Sequence, residues 1–293
     1  MNIYYIDGKY LPADQAMIPV DDLAIIRGIG VFDLLRTYRG KPYFLKEHVN
    51  RLIHSARQSH LDLPWTHEEI CKVVLETLAR NNLSEANIRI IVTGGSSSDF
   101  FTPAGRPRLL VLVTPLPELP AHWYTQGVKV VTSKVRRIIP GAKSINYLPA
   151  SLALNEARAQ GAVEVLYLDD DDNALEGATS NLFAFIGKTL VTPGRGMLSG
   201  ITRQVVLEVA TGHYAVEIRD LSRQELLGAR EVFITGTNKG LVPVVQIDEV
   251  TIGNGRPGRC TRNIIALLRA YLADLQLPTD IDSGKHVKAS GGS

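Results

Sequence analysis

Cysteine and net charge are scarce in this chain of 293 residues. Its two cysteines, Cys71 and Cys260, do not form a CxxC pair, which argues against a redox dithiol or a zinc site. One disulfide remains open, but two free thiols in a reducing cytoplasm are the favoured interpretation. The net charge is only +2, from 32 basic and 30 acidic residues, which argues against a nucleic-acid-coating surface.

Long apolar runs are also missing. No stretch reaches the length of a membrane span, and the opening residues lack the basic and apolar segments of a signal peptide. We therefore expect a cytoplasmic protein that binds neither membrane nor nucleic acid.

The apolar content is instead that of a packed protein, at 45% of residues with 21% charged. The length fits two domains, and a cluster of prolines at Pro115, Pro117 and Pro120 marks the best boundary between them. The predicted organisation is a small N-terminal domain (1–118), a linker (119–127), a larger domain (128–280) and a disordered Gly/Ser-rich tail (281–293).

Hydrophobic periodicity predicts helices and strands in uneven alternation, which favours an α+β fold with mixed sheets over a doubly wound parallel fold. Thr66 and Glu69 have the spacing of a capping box at the second helix. The predicted helices are 45–59, 66–81, 149–160, 201–211, 222–227 and 260–275. The predicted strands include 31–38, 88–93, 109–114, 128–133, 164–168, 181–186, 189–192 and 231–235.

Five short segments carry candidate chemistry. A lysine, Lys143, lies between a Pro-Gly-Ala turn and a helix, and an acid, Glu176, precedes four small residues that allow close approach of a flat ligand. The segment 198–203 runs directly into a helix, whose free amides can hold a phosphate. Residues 235–237 form a small Thr-Gly-Thr loop, and Arg51 can supply a bidentate phosphate contact. Taken singly, each has an ordinary structural interpretation.

In this order the segments resemble the class IV, fold-type IV enzymes that use pyridoxal 5′-phosphate: D-amino-acid aminotransferases, branched-chain aminotransferases and aminodeoxychorismate lyases. The resemblance extends from Tyr5-Ile6-Asp7-Gly8 to the last helix. It implies a two-domain α+β fold with a small α/β N-terminal domain, and a homodimer in which a loop of the neighbour borders each active site. The implied ligands are small amino acids and 2-oxo acids.

The resemblance also implies roles for single residues. Lys143 carries the cofactor as a Schiff base and moves a proton at the substrate α-carbon, which requires an amine that can be neutral. Glu176 pairs with the pyridine nitrogen, so that the ring acts as an electron sink. The remaining cofactor contacts implied are Arg51, Tyr147, Leu198, Gly200, Ile201, Thr202 and Thr237.

Substrate choice depends on departures from the family motifs. The usual Gly-Asp-Gly reads Gly28-Ile29-Gly30 here, with Arg27 before it. The Arg-Gly carboxylate trap of well-known D-amino-acid enzymes is replaced by Thr93-Gly94-Gly95, and the Tyr-x-Arg of branched-chain enzymes by Asn87-Ile88-Arg89. The combination resembles D-amino-acid transaminases in which two arginines on adjacent strands bind the α-carboxylate. The predicted substrate-binding residues are Arg27, Arg89, Phe32 and Lys239, the last for an acidic side chain.

The favoured prediction is thus a transaminase for D-amino acids of the D-alanine and D-glutamate type. A branched-chain L-amino-acid aminotransferase is the alternative, followed by an aminodeoxychorismate lyase. A binding module without turnover is the competing hypothesis from another class, and Arg27 and Arg89 also have a purely structural interpretation as ion-pair residues.

Overall fold

A computed structural model describes residues 1–275, so the predicted tail at 281–293 and the end of the predicted large domain lie outside the described residues. The N-terminal part forms a six-stranded sheet in the order β2-β1-β6-β5-β3-β4. Its strands are β1 (Ile3–Ile6), β2 (Lys9–Pro12), β3 (Gly30–Tyr38), β4 (Lys41–Pro42), β5 (Ala86–Thr93) and β6 (Arg108–Pro115). Its helices are α1 (Leu23–Arg27), α2 (Leu45–Gln58) and α3 (His67–Ala79), with a short 3₁₀ turn at Ala13–Gln15.

Helices α2 and α3 cover one face of this sheet. Val49 and Leu52 of α2 and Ile70 and Val74 of α3 are fully buried in one cluster with strand residues such as Ile88. The capping box of α3 is confirmed, because Thr66 accepts from the Glu69 amide while the Glu69 side chain accepts from the Thr66 amide.

The C-terminal part forms a nine-stranded mixed sheet in the order β12-β11-β10-β13-β14-β7-β8-β9, with β15 also on β14. Its strands are β7 (Val128–Ser133), β8 (Glu164–Leu168), β9 (Ala174–Gly177), β10 (Asn181–Ile186), β11 (Thr189–Thr192), β12 (Ala215–Ile218), β13 (Glu231–Gly236), β14 (Gly240–Ile247) and β15 (Val250–Thr251). Its helices are α4 (His122–Thr125), α5 (Leu148–Ala159), α6 (Ile201–Thr211), α7 (Arg223–Leu227) and α8 (Arg259–Asp274).

Parallel and antiparallel pairs occur in the same sheet, which confirms the α+β prediction. Strand β7 runs parallel to both β14 and β8, while β13 is antiparallel to β10 and β14. The chain passes from the first sheet to the second between Pro115 and Val128. No helix within residues 1–275 is long and apolar enough to cross a bilayer.

Several described elements were not predicted, among them α1, β9 and β14. Helix α1 was not predicted, so Arg27 ends a helix and does not lie on a strand as expected. Glu176 belongs to strand β9, where only a loop was expected. Strand β14 continues through Pro243, and its pairing with β7 begins only at Val244, so the missing proline N–H is not needed for that ladder.

Candidate active site

The segment that carries Lys143 is hydrogen-bonded to the N-terminal sheet, although it follows the first strand of the second. The Phe32 amide donates to the Lys143 carbonyl at 2.8 Å, and the Ile145 amide donates to the Gly30 carbonyl at 3.0 Å. From helix α2, the hydroxyl oxygen of Ser55 accepts the Lys143 amide at 3.0 Å. Lys143 is therefore fixed on its backbone at the junction of the two sheets.

The Lys143 amine lies in an environment that favours its neutral form. Removal from water is the largest cause and Arg51 adds to it, and together they lower the pKa of Lys143 to about 8. The amine is 3.5 Å from the Tyr147 hydroxyl and 4.7 Å from the centre of the Phe32 ring. The rings of Phe32 and Tyr147 meet edge to face at 5.4 Å. A nucleophilic amine thus stands beside two aromatic rings.

Glu176 is a buried carboxylate with an ordered set of partners. Its Oε1 accepts from Arg137 at 2.9 Å, and its Oε2 accepts from the Leu198 amide at 3.0 Å. Burial raises the pKa of Glu176, although Arg137 opposes the shift. Arg137 also donates to the carbonyl of Ala142, directly before Lys143, so one guanidinium links the lysine segment to this acid.

Arg51 is held by a buried acid on β3. Its Nε and one terminal nitrogen donate to the two oxygens of Asp33, each at 2.8 Å, and His48 contacts the same carboxylate at 2.6 Å. Burial alone would raise the pKa of Asp33, but Arg51 and His48 outweigh it and hold the pKa below its usual range. The third nitrogen of Arg51 reaches the Ser199 carbonyl at 3.2 Å, next to the start of α6. Of five guanidinium N–H groups, two remain for a ligand.

Among the described residues, no side chain caps the N-terminus of α6. Its N-cap is Gly200, and its first helical bond runs from the Gln204 amide to Gly200. The amides of Ile201 and Thr202 therefore point out of the helix unpaired by it, where they favour an anion. Asn181 fixes the approach to the helix by donating to the Leu198 carbonyl at 2.8 Å.

The Thr-Gly-Thr loop begins at the end of β13. Thr235 pairs directly with Asn181 of β10, so both side chains lie on the same face of the sheet. The Thr235 hydroxyl is buried and has no hydrogen-bond partner within residues 1–275. Thr237 follows in the turn to β14, and Asn238 donates to Asn87 of β5 at 3.1 Å across the two sheets.

Of the predicted substrate residues, Arg89 and Phe32 are brought together. The Arg89 guanidinium lies 5.2 Å from the centre of the Phe32 ring, and Lys143 contacts the same ring. Arg27 is exposed at the end of α1 and donates to the carbonyl of Ile26. Arg27 and Arg89 have no common hydrogen-bond or ion-pair partner within the described part of the chain, and the two-arginine carboxylate site stays a prediction.

Lys239, predicted to contact a substrate side chain, is paired within the protein. Its ammonium donates to Glu164 at 2.6 Å and contacts the Thr179 hydroxyl at 2.5 Å. Since Glu164 is completely buried, this charge is already neutralised within the protein.

The sequence patterns did not indicate the side chains that hold the predicted site residues in place. Asp33 and His48 support Arg51, Arg137 supports Glu176, and Glu164 supports Lys239. The available signal was weak but present: Asp33 lies inside an apolar strand pattern, and Glu164 opens another, where an unpaired charge would be costly.

Comparison with known proteins agrees with this geometry. The class IV amino-transferase family matches residues 30–247. A putative branched-chain-amino-acid aminotransferase of Methanocaldococcus jannaschii is 38% identical over 271 residues, covering 89% of this chain and 93% of that protein. A D-alanine aminotransferase of Staphylococcus epidermidis is 30% identical over 279 residues, covering 93% and 98%.

Two solved structures extend the likeness to the fold. A T.th. branched-chain amino acid aminotransferase with pyridoxamine 5′-phosphate has a TM-score of 0.85 and 30% identity, covering 92% of this chain and 93% of that one. The 4-amino-4-deoxychorismate lyase from Pseudomonas aeruginosa has a TM-score of 0.81 and 30% identity, covering 92% and 99%.

The residues present fit the family's cofactor. Arg51 and the unpaired amides at the start of α6 are suited to bind the phosphate. The Thr235 hydroxyl, which has no hydrogen-bond partner among the described residues, lies on the same face of the sheet as Asn181. The Lys143 amine is suited to react with the cofactor aldehyde, and the Glu176 carboxylate is suited to pair with the pyridine nitrogen. From the match of sequence, fold and donor groups together, we conclude that this chain belongs to the class IV aminotransferases and uses pyridoxal 5′-phosphate.

Proposed function

We propose that this aminotransferase moves the amino group of D-amino acids, of the D-alanine and D-glutamate type, to 2-oxo acids. The observation that supports the proposal most is the placement of Arg89. Its guanidinium lies beside the Phe32 ring that Lys143 also contacts, so a cation for a carboxylate stands next to the reactive amine.

Each residue has a stated task in the reaction. Bound pyridoxal phosphate supplies an electron-withdrawing ring that stabilises negative charge at the substrate α-carbon and carries the amino group between half-reactions. Lys143 would take the proton from the substrate α-carbon and deliver it to the C4′ carbon of the cofactor. Glu176 holds a proton at the ring nitrogen, and Tyr147 donates to the phenolic oxygen. Arg51 and the start of α6 bind the phosphate.

The hand of the substrate follows from where its carboxylate is bound. Lys143 acts from one side, so the α-hydrogen must point towards it. In this proposal, a carboxylate bound by Arg89 lies on the opposite side of the reacting carbon from one bound by the turn at 235–237. When the carboxylate occupies the other of these two positions, the opposite enantiomer presents its α-hydrogen to Lys143.

The proposal gives Arg89 the main role in carboxylate binding. Arg27, which is exposed at the end of α1, is the second cation proposed for this carboxylate. We also propose a homodimer, because large apolar side chains are exposed on α5 and the loop before it: Ile138, Leu148 and Leu152 are 88%, 67% and 57% exposed. Gel filtration with light scattering tests this directly.

The test of the carboxylate site is Arg89→Gln. Loss of a charge-assisted contact, about 1.5–3 kcal/mol, should raise KM for D-alanine about 10- to 100-fold while pyridoxal phosphate still binds. Arg39→Gln is the matched control, since Arg39 is also an exposed arginine over an aromatic ring, that of Tyr38 at 5.4 Å. An unchanged KM in Arg89→Gln contradicts the proposal.

A branched-chain L-amino-acid aminotransferase is the second candidate, favoured by the 38% identity to the archaeal relative. Faster conversion of L-leucine or L-valine than of any D-amino acid would support it. Release of pyruvate from aminodeoxychorismate, without need of a 2-oxo acid, would instead indicate the lyase. A cofactor band that no amino donor changes would indicate a binding module without turnover.

A further inference from the structure

We propose that Lys239 is a positioning residue: through its ion pair with Glu164 it locks together two turns of the active site, one following Glu176 and one following Thr235. The proposal rests on the family assignment and not on the preferred enantiomer. It replaces the expected contact of Lys239 with a substrate side chain by a contact within the protein.

Lys239 ends the turn between β13 and β14. Its ammonium is mostly buried and reaches two residues of another part of the chain, Glu164 at 2.6 Å and the Thr179 hydroxyl at 2.5 Å. Its carbonyl accepts from the Tyr124 hydroxyl at 2.9 Å. Both ends of the residue are therefore fixed, which leaves the side chain little freedom to follow a substrate.

Glu164 lies under the turn that follows Glu176. Its Oε2 accepts from the hydroxyls of Thr179 and Ser180 at 2.6 and 3.0 Å, and from the Thr179 amide at 3.3 Å. The second oxygen accepts from the Val165 amide at 3.2 Å. This carboxylate therefore holds residues 177–180, the backbone that continues directly from Glu176.

The two turns are also in close contact at Gly236, and Gly177 packs against Glu164. A side chain at Gly236 would come within 3.3 Å of the Thr179 carbonyl, and one at Gly177 within 3.0 Å of Glu164. Such close packing lets an ion pair transmit position from one turn to the other. The turn at 236–239 contains Thr237, a proposed phosphate contact, and the turn at 177–180 follows Glu176, the proposed partner of the ring nitrogen. The ion pair therefore aligns the phosphate side of the cofactor site with its ring-nitrogen side.

Removal of Lys239 alone leaves Glu164 as a buried carboxylate without a cation, which disfavours the observed arrangement of both turns. The expected result is a misplacement of cofactor contacts. A misplacement of about 1 Å in an active site costs on the order of 100-fold in rate. Cofactor binding and kcat should suffer, whereas KM for the amino acid should change little.

The experiment uses Lys239→Met, Lys239→Arg, Glu164→Gln and the double variant Lys239→Met with Glu164→Gln. The matched control is Lys129→Met, because Lys129 has a similar side-chain exposure, 19% against 16%, but its partner Glu249 is 85% exposed and lies away from both turns. The readouts are the Kd for pyridoxal phosphate, measured by titration of cofactor-free protein, and kcat and KM separately. The melting temperature reports folding.

Four results are expected. Lys239→Met raises the Kd for pyridoxal phosphate about tenfold or more and lowers kcat, Lys239→Arg retains both within a few-fold, and Lys129→Met changes neither. The double variant, which buries no unpaired charge and therefore folds, loses less affinity than the product of the two single losses.

Two results would overturn the proposal. One is a selective rise of the KM for D-glutamate in Lys239→Met with unchanged cofactor affinity. That result would favour the predicted contact of Lys239 with an acidic substrate side chain. The other is a Lys239→Met variant that matches Lys129→Met in Kd and kcat, whatever its melting temperature, which would make the pair merely structural.

Discussion

Ion pairs with buried carboxylates hold long side chains of the candidate site in place. Asp33 fixes Arg51, Arg137 fixes Glu176, and Glu164 fixes Lys239. Such buried pairs contribute little net stability, since desolvation offsets the attraction. Their value lies in geometry: each restricts a long side chain to one orientation, which an active site requires.

The lowered pKa of Lys143 has a kinetic consequence. Only the neutral amine attacks an aldehyde, and with a pKa of about 8 its neutral fraction falls about tenfold for each pH unit below that value. An ordinary lysine titrates near pH 10.4. The rate of pyridoxal-phosphate capture by cofactor-free protein should therefore rise with pH and level off near pH 8, as measured by stopped-flow absorbance.

Two comparisons make that result specific. Nα-acetyl-lysine under the same conditions should keep accelerating up to about pH 10. The Lys143→Ala variant should show no covalent capture at any pH. A protein profile that rises through pH 10 like the free amine would mean that the site does not depress the pKa of Lys143.

The sequence indicated the candidate site residues, but it did not indicate the residues that support them. Lys143, Glu176 and Arg51 lie in short motifs whose order along the chain is informative. The supporting pairs join residues 18, 39 and 75 positions apart, and no local pattern indicates which acid meets which cation. Arg27 shows the converse, because its motif position was clear while the helix that it ends was not predicted.

Helix α6 is the helix whose N-terminus is proposed to bind the cofactor phosphate. It begins at Gly200, where an added Cβ atom would overlap the Asn181 amide oxygen. Gly200→Ala should therefore displace Asn181 and the Leu198 segment, destabilise the protein by about 1–3 kcal/mol and weaken cofactor retention. Thermal unfolding and pyridoxal-phosphate titration measure the two effects.

The opposite end of the same helix supplies the control. Gly212 is its C-cap, with φ −78°, and a Cβ atom there would meet nothing within 4 Å. Gly212→Ala should leave cofactor affinity unchanged and should not destabilise the protein. Equal effects of the two substitutions on cofactor affinity would contradict the assigned role of Gly200.

Long periodic elements were predicted nearly to the residue, and short ones were not. The predicted bounds of α6, 201–211, are confirmed, and those of α2, α5 and α8 differ by one residue at most at each end. Helix α1 has five residues and β9 has four, too few for a period to be visible. Strand β14 was not predicted, and Pro243 lies within it, just before the pairing with β7 begins at Val244.

Contacts between the two sheets determine the substrate side of the site. The Lys143 segment binds β3, Asn238 of the C-terminal part donates to Asn87 of β5, and Arg89 lies two residues farther along the same face. Sequence patterns describe each sheet separately, because periodicity carries no information on how two sheets dock. The class of enzyme could thus be predicted from the chain, whereas the surroundings of the substrate required the structure.

The preferred enantiomer tests the account most directly. Enzyme loaded with pyridoxal phosphate is mixed, in the absence of a 2-oxo acid, with D-alanine, D-glutamate, L-leucine or L-valine, and the cofactor absorbance is followed through a single half-reaction. We predict faster conversion to the amine form by the D-amino acids, and none in the Lys143→Ala variant. Faster conversion by L-leucine or L-valine would contradict the assignment of the carboxylate to Arg89.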